Sequence, residues 1–248
     1  MQCLTNLPRG DGFGSQFQTI LWTMLFAESQ GVAFMYTKIH EMDMISNITK
    51  ADVENENTVE EVTEYMGFRK HYPPSEAWVP RISHELVYPV VEDNMERIFQ
   101  GAPFLRFKTL FYSDKSSRFN NAFINVAVHI RRLGSFETRL NRFREGTHNV
   151  PFENYVSVMN RIRRDYPGRH IRFHIYSQGV EGDFQELASE DTTFHLNEKV
   201  LDTFTDLVFA DVLVTTRSSF SYTAALLNSK DIYYLPFWHP PRDHWKKW

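Results

Sequence analysis

Residues 123–130 read FINVAVHI. The run is short, apolar and rich in β-branched side chains, and it reads as a buried strand. The chain beyond it keeps alternating. Residues 152–164 set Phe152, Val156, Met159 and Ile162 on one helical face. Residues 171–176 read as a strand, 183–188 as a short helix and 193–196 as a short strand. Residues 200–209 bring Leu201, Phe204, Leu207 and Val208 together on a helix. A strand over 212–215, a helix over 219–228 and a strand over 232–235 follow. Strand and helix in alternation predict a parallel, helix-covered sheet of Rossmann type. In such sheets ligands sit beyond the carboxyl ends of the strands.

Working back toward the start, residues 2–7 read as a strand and 9–14 as a glycine-rich turn. Residues 15–30 form an amphipathic helix, with Phe17, Ile20, Leu21, Met24 and Leu25 at helical spacing and Gly31 placed to stop it. Residues 32–36 complete a β-turn-α-β unit. An acidic run over 52–64 reads as a solvated helix face. The stretch 38–114, interrupted by Pro73, Pro74, Pro80, Pro89 and Pro103, has no topology legible from its pattern. Residues 113–121, SDKSSRFNN, are polar and mark a boundary. The expectation is an α/β chain of two parallel-sheet lobes. Residues 1–116 form a small, irregular acceptor-side lobe, and 117–248 a nucleotide-sugar-binding lobe. The tail over 236–248, PFWHPPRDHWKKW, is expected to pack back on the N-terminal lobe.

Composition narrows the function classes. The 248 residues carry 27 basic and 31 acidic side chains, a formal net charge of −4, and are 42% hydrophobic. That balance excludes disorder and gives no footprint for bulk nucleic-acid binding. No apolar stretch approaches the roughly 20 residues of a membrane span. The opening MQCLTNLPRGDGF has no basic segment followed by an apolar run, so a cytoplasmic chain without a signal peptide is expected. One cysteine, Cys3, makes no internal disulfide and suits a reducing compartment. The 21 Phe, 11 Tyr and 5 Trp fill a core or stack on a ligand, and composition alone does not choose.

Three groups follow predicted strands. Gly10-Asp11-Gly12-Phe13-Gly14-Ser15-Gln16 leads into a helix, whose N-terminus favours an anion. A plain turn explains it as well. His129, Arg131 and Arg132 end an otherwise apolar strand. A guanidinium matches phosphate oxygens with two parallel donors, although Arg132 paired to a nearby carboxylate explains part of the pattern. Thr216-Arg217-Ser218-Ser219-Phe220-Ser221 opens a helix. One serine there is a natural N-cap. Three serines and an arginine suit a phosphate site. No metal-ligand spacing accompanies these groups. Arginines and backbone dipoles, not a metal or other cofactor, are therefore expected to neutralise a diphosphate.

These segments resemble motifs of the fucosyltransferase superfamily, the α1,2-, α1,6- and protein O-fucosyltransferases. VHIRR (128–132) resembles its H-x-R motif, GDGFGSQF (10–17) its N-terminal glycine turn, and ADVLVTTRSSFSYTAALL (210–227) its C-terminal SSFS segment. The three occur in the family's order over most of the chain. The resemblance implies a GT-B-type fold and metal-independent, inverting transfer of a sugar from a nucleotide diphosphate, GDP-fucose first, to a glycan hydroxyl. It gives Arg131 the diphosphate and the leaving group. It gives Ser218, Ser219, Phe220 and Ser221 phosphate contacts, with Arg217 beside them. Gly12, Phe13 and Gly14 approach donor and acceptor. Leu133, Gly134 and Ser135 stand where many members continue toward an aspartate, and Ser177 and Gln178 where many carry an acidic residue. Donors such as UDP-xylose or a rhamnose donor, and a non-catalytic nucleotide- or glycan-binding module, therefore stay open.

An inverting transfer needs a base to take the acceptor proton. Asp11 precedes Gly12-Phe13, as a carboxylate does in one protein O-fucosyltransferase group. Glu137 lies near the base position of the α1,6 enzymes, or else pairs with Arg139 or Arg142. Asp11 is favoured. His129 is expected to orient Arg131, and His174 to be an ordinary strand histidine. Phe13, Phe220 and Trp238 are the aromatics placed beside the donor.

Overall fold

The computed structural model describes residues 2–39, 58–132 and 150–248. They form two compact units, one ending at Lys115 and the other beginning at Ser116. Glu137, Arg139 and Arg142 lie outside the described residues.

The C-terminal unit follows the alternation read from its sequence. Its elements are β4 (Ile124–His129), α7 (Phe152–Asp165), β5 (Ile171–Ser177), β6 (Thr192–Leu196), α8 (Val200–Phe209), β7 (Val212–Val214), α9 (Ser219–Leu227), β8 (Asp231–Tyr234) and β9 (Lys246–Lys247). The short helix expected at 183–188 is a 3-10 helix, Glu181–Leu187. The strands form one parallel sheet in the order β6-β5-β4-β7-β8-β9. The chain winds outward from β4 through β5 to β6, then returns to the other side of β4 and winds outward through β7. The reversal lies between β4 and β7, where Val126 pairs with Val212 and Val128 with Val214.

Both faces of this sheet are covered. Val126, Val128 and Ile130 join Tyr155, Val158, Met159 and Ile162 of α7 in one buried cluster. On the opposite face, Phe220 of α9 lies between His129 and Phe204 of α8, with ring centroids 5.3 and 5.4 Å away. The aromatic tail is tied into this same sheet. It supplies β9, which pairs with β8 through Tyr233 and Lys246. Trp248 packs on Tyr155, and Trp245 on Tyr222 and Tyr234. The sequence predicts no strand there, because two residues carry no period.

The N-terminal unit is built differently. Its three-stranded parallel sheet has the order β2-β1-β3, from β1 (Cys3–Asn6), β2 (Ala33–Phe34) and β3 (Arg81–Ile82). Between β1 and β2 runs α1 (Phe13–Ser29). The unassigned stretch is largely helical: α2 (Val59–Met66), α3 (Phe68–His71), α4 (His84–Asp93), α5 (Met95–Phe99) and α6 (Ala102–Tyr112). Two of its prolines lie in helices. Pro103 occupies the first turn of α6, where a missing N–H costs nothing. Pro89 lies inside α4. The described part of the acidic run lies in α2, which starts at a capping box between Thr58 and Glu61 and buries Val62 and Met66.

The helix expected to be amphipathic is instead buried on nearly every side. Gln16, Gln18, Thr19 and Thr23 are as inaccessible as Phe17 and Trp22. Phe17 meets Phe68, Phe107 and Phe111 with centroids 5.7, 6.3 and 5.9 Å away. Trp22 sits edge-on to Tyr88 at 4.7 Å. The buried threonines stay satisfied by donating back along the helix, Thr19 to Ser15 O at 2.8 Å and Thr23 to Thr19 O at 2.7 Å.

Candidate functional site

In the N-terminal unit the turn after β1 holds the first predicted group. Asp11 accepts two-pronged donation from Arg9, whose Nε lies 3.1 and 2.9 Å from the carboxylate oxygens and whose Nη2 also reaches Oδ2. Gln16 Nε2 donates to Asp11 O at 2.6 Å, tying the turn to the first turn of α1. Arg9 is the residue the sequence reading passed over; its signal was the spacing Arg-x-Asp. Gly12 caps α1 with φ −64° and ψ 163°, extended backbone open to any residue. None of Gly10, Gly12 and Gly14 has a positive φ, so conformational freedom does not explain the glycines here. Phe13 is buried edge-on to Phe17 and Tyr65. It belongs to the core and does not present its ring to a ligand.

Beside this turn lies a small open cleft. Asn6, Arg9, Gln16, Thr19, Thr37 and Lys38 supply its polar lining. Asn6 is 5% exposed, and its Oδ1 has no hydrogen-bond partner among the described residues. Because Thr19 spends its proton on Ser15 O, Tyr88 must donate to Thr19 Oγ1, 2.8 Å away. Burial pushes that phenol up to about 12, so it stays protonated. Burial and the nearby Arg9 both push His84 below the usual histidine range.

In the C-terminal unit two of the predicted groups meet. Parallel pairing of β4 with β7 brings His129, Arg131 and Arg132 to the same sheet end as Thr216–Ser221. They therefore flank the reversal of strand order. His129 is buried, and burial, with Arg131 adding to it, pushes it down to about 3. It is a neutral imidazole, and its Nδ1 has no hydrogen-bond partner among the described residues. The two arginines divide. Arg132 pairs with Asp183 and lies over the Phe184 ring at 5.5 Å, so it braces the turn after β5. Arg131 is half-buried at the strand end.

The serines divide as well. Ser218 caps α9 by accepting from Phe220 N at 3.3 Å. Ser221 is fully buried, and its Oγ accepts from Thr216 N at 3.3 Å, so it holds the turn closed. Arg217, Ser219 and Phe220 are partly exposed. No acidic side chain occupies the first turn of α9, leaving the positive end of its dipole uncompensated locally. Thr216 Oγ1 lies 2.9 Å from the Tyr155 hydroxyl, which locks the turn to α7. Trp238 is 60% exposed, its ring tilted against Phe237 with centroids 3.9 Å apart. Among the described residues no group of three or more His, Cys, Asp or Glu could hold a metal ion. No described helix is long and apolar enough to cross a membrane.

No protein-family model matches the chain, and no curated protein does. The fold is similar to that of the fucosyltransferase NodZ from Bradyrhizobium, at 11% identity over 97% of each chain with a TM-score of 0.50. A likeness of TM-score 0.47 is found to the E. coli heptosyltransferase WaaC with ADP-2-deoxy-2-fluoro heptose, at 12% identity over 100% of this chain and 93% of that one. The likeness to NodZ bears on the fold. The chain has the α/β, GT-B-like architecture expected of it, with a parallel sheet in each unit.

Proposed function

We propose that the protein is a metal-independent, inverting glycosyltransferase that moves a sugar from a nucleotide diphosphate, GDP-fucose first, to a glycan hydroxyl. The observation that supports this most is the reversal point between β4 and β7. It is flanked by Arg131 on one side and the uncapped-by-acid N-terminus of α9 on the other. A diphosphate placed there meets a bidentate cation, free-facing helix dipole and a buried neutral imidazole. The E. coli and Bradyrhizobium proteins of similar fold include one bound to ADP-heptose analogue and one soaked with GDP-fucose.

In this reading the acceptor oxygen attacks the anomeric carbon as the carbon–oxygen bond to the β-phosphate breaks from the opposite face. The nucleoside diphosphate leaves with the bonding electrons. Arg131 and the α9 dipole stabilise the charge that develops on it, in place of a cation. The acceptor proton goes to a carboxylate, Asp11 in preference to Glu137. Asp11 keeps lone pairs beyond those Arg9 occupies, and Arg9 fixes its direction. His129, neutral and buried, is a donor-side contact and not the base. Ser219 and Arg217 add phosphate contacts.

A thermal-shift screen with GDP, UDP and TDP sugars tests the reading, followed by donor hydrolysis with the sugar that stabilises. Stabilisation by a GDP sugar with turnover supports it. Stabilisation by a UDP sugar moves the donor. Binding without turnover makes the chain a nucleotide-binding module, and no stabilisation by any of them removes the proposal.

A further inference from the structure

A hydrogen-bonded line crosses β5 and β6 in the C-terminal unit, on the face opposite α7. His174 and His195 are diagonal neighbours on one sheet face. His174 Nδ1 lies 3.0 Å from His195 Nε2. His174 Nε2 lies 3.2 Å from Asn125 Oδ1, and His195 Nδ1 lies 2.7 Å from Glu198 Oε1. The Asn125 amide has one workable orientation. Its Nδ2 faces Asn120 O at 2.9 Å and Phe123 O at 3.2 Å, both acceptors, so its Oδ1 must face His174.

The line therefore ends in an acceptor on each side. Satisfying its three hydrogen bonds takes three protons, one in each gap. Two neutral imidazoles carry two between them. With two, some gap must hold facing lone pairs: His174 against Asn125, His174 against His195, or His195 against the Glu198 carboxylate. The closed line thus holds one proton more than two neutral histidines. Burial pushes His174 down to about 4, and the Glu198 carboxylate meets the other end of the imidazole pair at His195. Other charges surround it. Arg118 lies 3.6 Å from Glu198 Oε2 and also pairs with Asp202 and Asp206. The Tyr176 ring stacks on His195 at 4.7 Å and its hydroxyl donates to Asp206. Arg172 and Asp206 act on His174, and Asp211 accepts from the Asn125 amide N–H. Arg118 takes Oε2 and leaves Oε1 to His195.

Next to Glu198, Asn197 stands in the left-handed region with φ 57°. It accepts from Gly179 N at 3.0 Å and donates to Gly179 O at 2.8 Å. Gly179 is itself packed against Arg132 and Asp183, where a Cβ would lie 2.4 and 2.6 Å from their polar atoms. We propose that Asn125, His174, His195 and Glu198 form a proton-operated brace, which holds the β6–α8 turn to the β5 turn while it carries its third proton and releases it when that proton leaves. The brace belongs to the C-terminal unit whether or not the chain transfers sugar.

The test compares the full chain with Glu198→Gln. A glutamine amide donates to His195 Nδ1, so the line closes with two imidazole protons. Above the ordinary histidine range, about 6.5, the unfolded chain carries two imidazole protons here and the closed brace three. The folded state then binds one more, and stability falls as pH rises. Above about pH 6.5 the wild-type folding constant is expected to fall by up to about tenfold per pH unit relative to Glu198→Gln, for as long as the brace keeps its third proton. Over the same range, exchange of the Gly179 amide should rise by more than the ordinary base-catalysed increase in wild type, and by that increase alone in Glu198→Gln. Nitrogen NMR of the imidazoles in the wild-type chain decides the matter even if the variant does not fold. Three N–H groups on the His174–His195 pair at about pH 6.5, falling to two at higher pH, support the brace. Two throughout, or parallel stability profiles of the two proteins, overturn it.

Discussion

The C-terminal unit covers a six-stranded sheet on both faces with evenly spaced helices, whereas the N-terminal unit pairs three short strands and packs its helices around α1. In the first arrangement Val126 and Val128 of β4 face α7 in the core while Arg131 lies past the strand's end. The second buries polar and apolar residues together, so Gln16 and Thr19 are core residues of a helix that also follows the Asp11 turn. In the regular unit, packing and chemistry fall on different residues. In the irregular one they share a helix.

That contrast can be broken most forcefully at Arg131. Arg131→Ala should lower transfer by roughly a thousandfold or more, measured as turnover with the donor found by the nucleotide screen; near-normal turnover would place the diphosphate elsewhere. Next come the carboxylates. Either Asp11→Asn or Glu137→Gln should cost on the order of a hundred- to ten-thousandfold in turnover with donor affinity held. If both variants turn over normally, neither is the base.

In the aromatic core of the N-terminal unit, Phe17→Ala should cost about 3–5 kcal/mol by denaturant unfolding, and a loss below about 1 kcal/mol would contradict the packing around α1. In the C-terminal unit, acid should act through His129, whose burial pushes it down to about 3. Its folded-state value lies below the unfolded one. Its contribution is therefore present above about pH 6.5 and lost progressively as the pH falls toward about 3. The acid limb of the stability profile should be shallower in His129→Asn. The smallest effect belongs to Arg132→Ala. Its partner Asp183 is on the surface, so nucleotide affinity should be unchanged; a loss as large as that of Arg131→Ala would erase the division between the two arginines.

The C-terminal fold was legible because each element announces its own period. FINVAVHI alternates with helices whose apolar residues fall on single faces, and strand boundaries differ from those observed by one or two residues. Phe152–Asp165 follows its pattern almost residue for residue. The N-terminal unit resisted for a physical reason. The apolar spacing over 15–30 marks α1 as a helix but does not show that it is buried on nearly every side, and β3, of two residues, has no period at all, as β9 has none in the other unit. Pro89 inside α4 reads as a breaker in sequence. The candidate site was half legible. His129 and Arg131 stand out as polar groups at an apolar strand end. The pairing of Arg132 with a carboxylate is legible at the strand end, though not that the partner is Asp183, and Ser221 looks identical to its neighbours until Thr216 N is seen to occupy it. The Arg9–Asp11 pair was present in the sequence, but only the turn geometry closes it.

The central claim is that the reversal point between β4 and β7 holds a nucleotide diphosphate through Arg131. Calorimetric titration of GDP into the wild-type chain and into Arg131→Ala, without added divalent metal, tests it most directly. The account predicts measurable binding by the wild type and a loss of roughly tenfold or more in the variant. Equal affinity in the two proteins, or binding that appears only when a divalent cation is added, would contradict it.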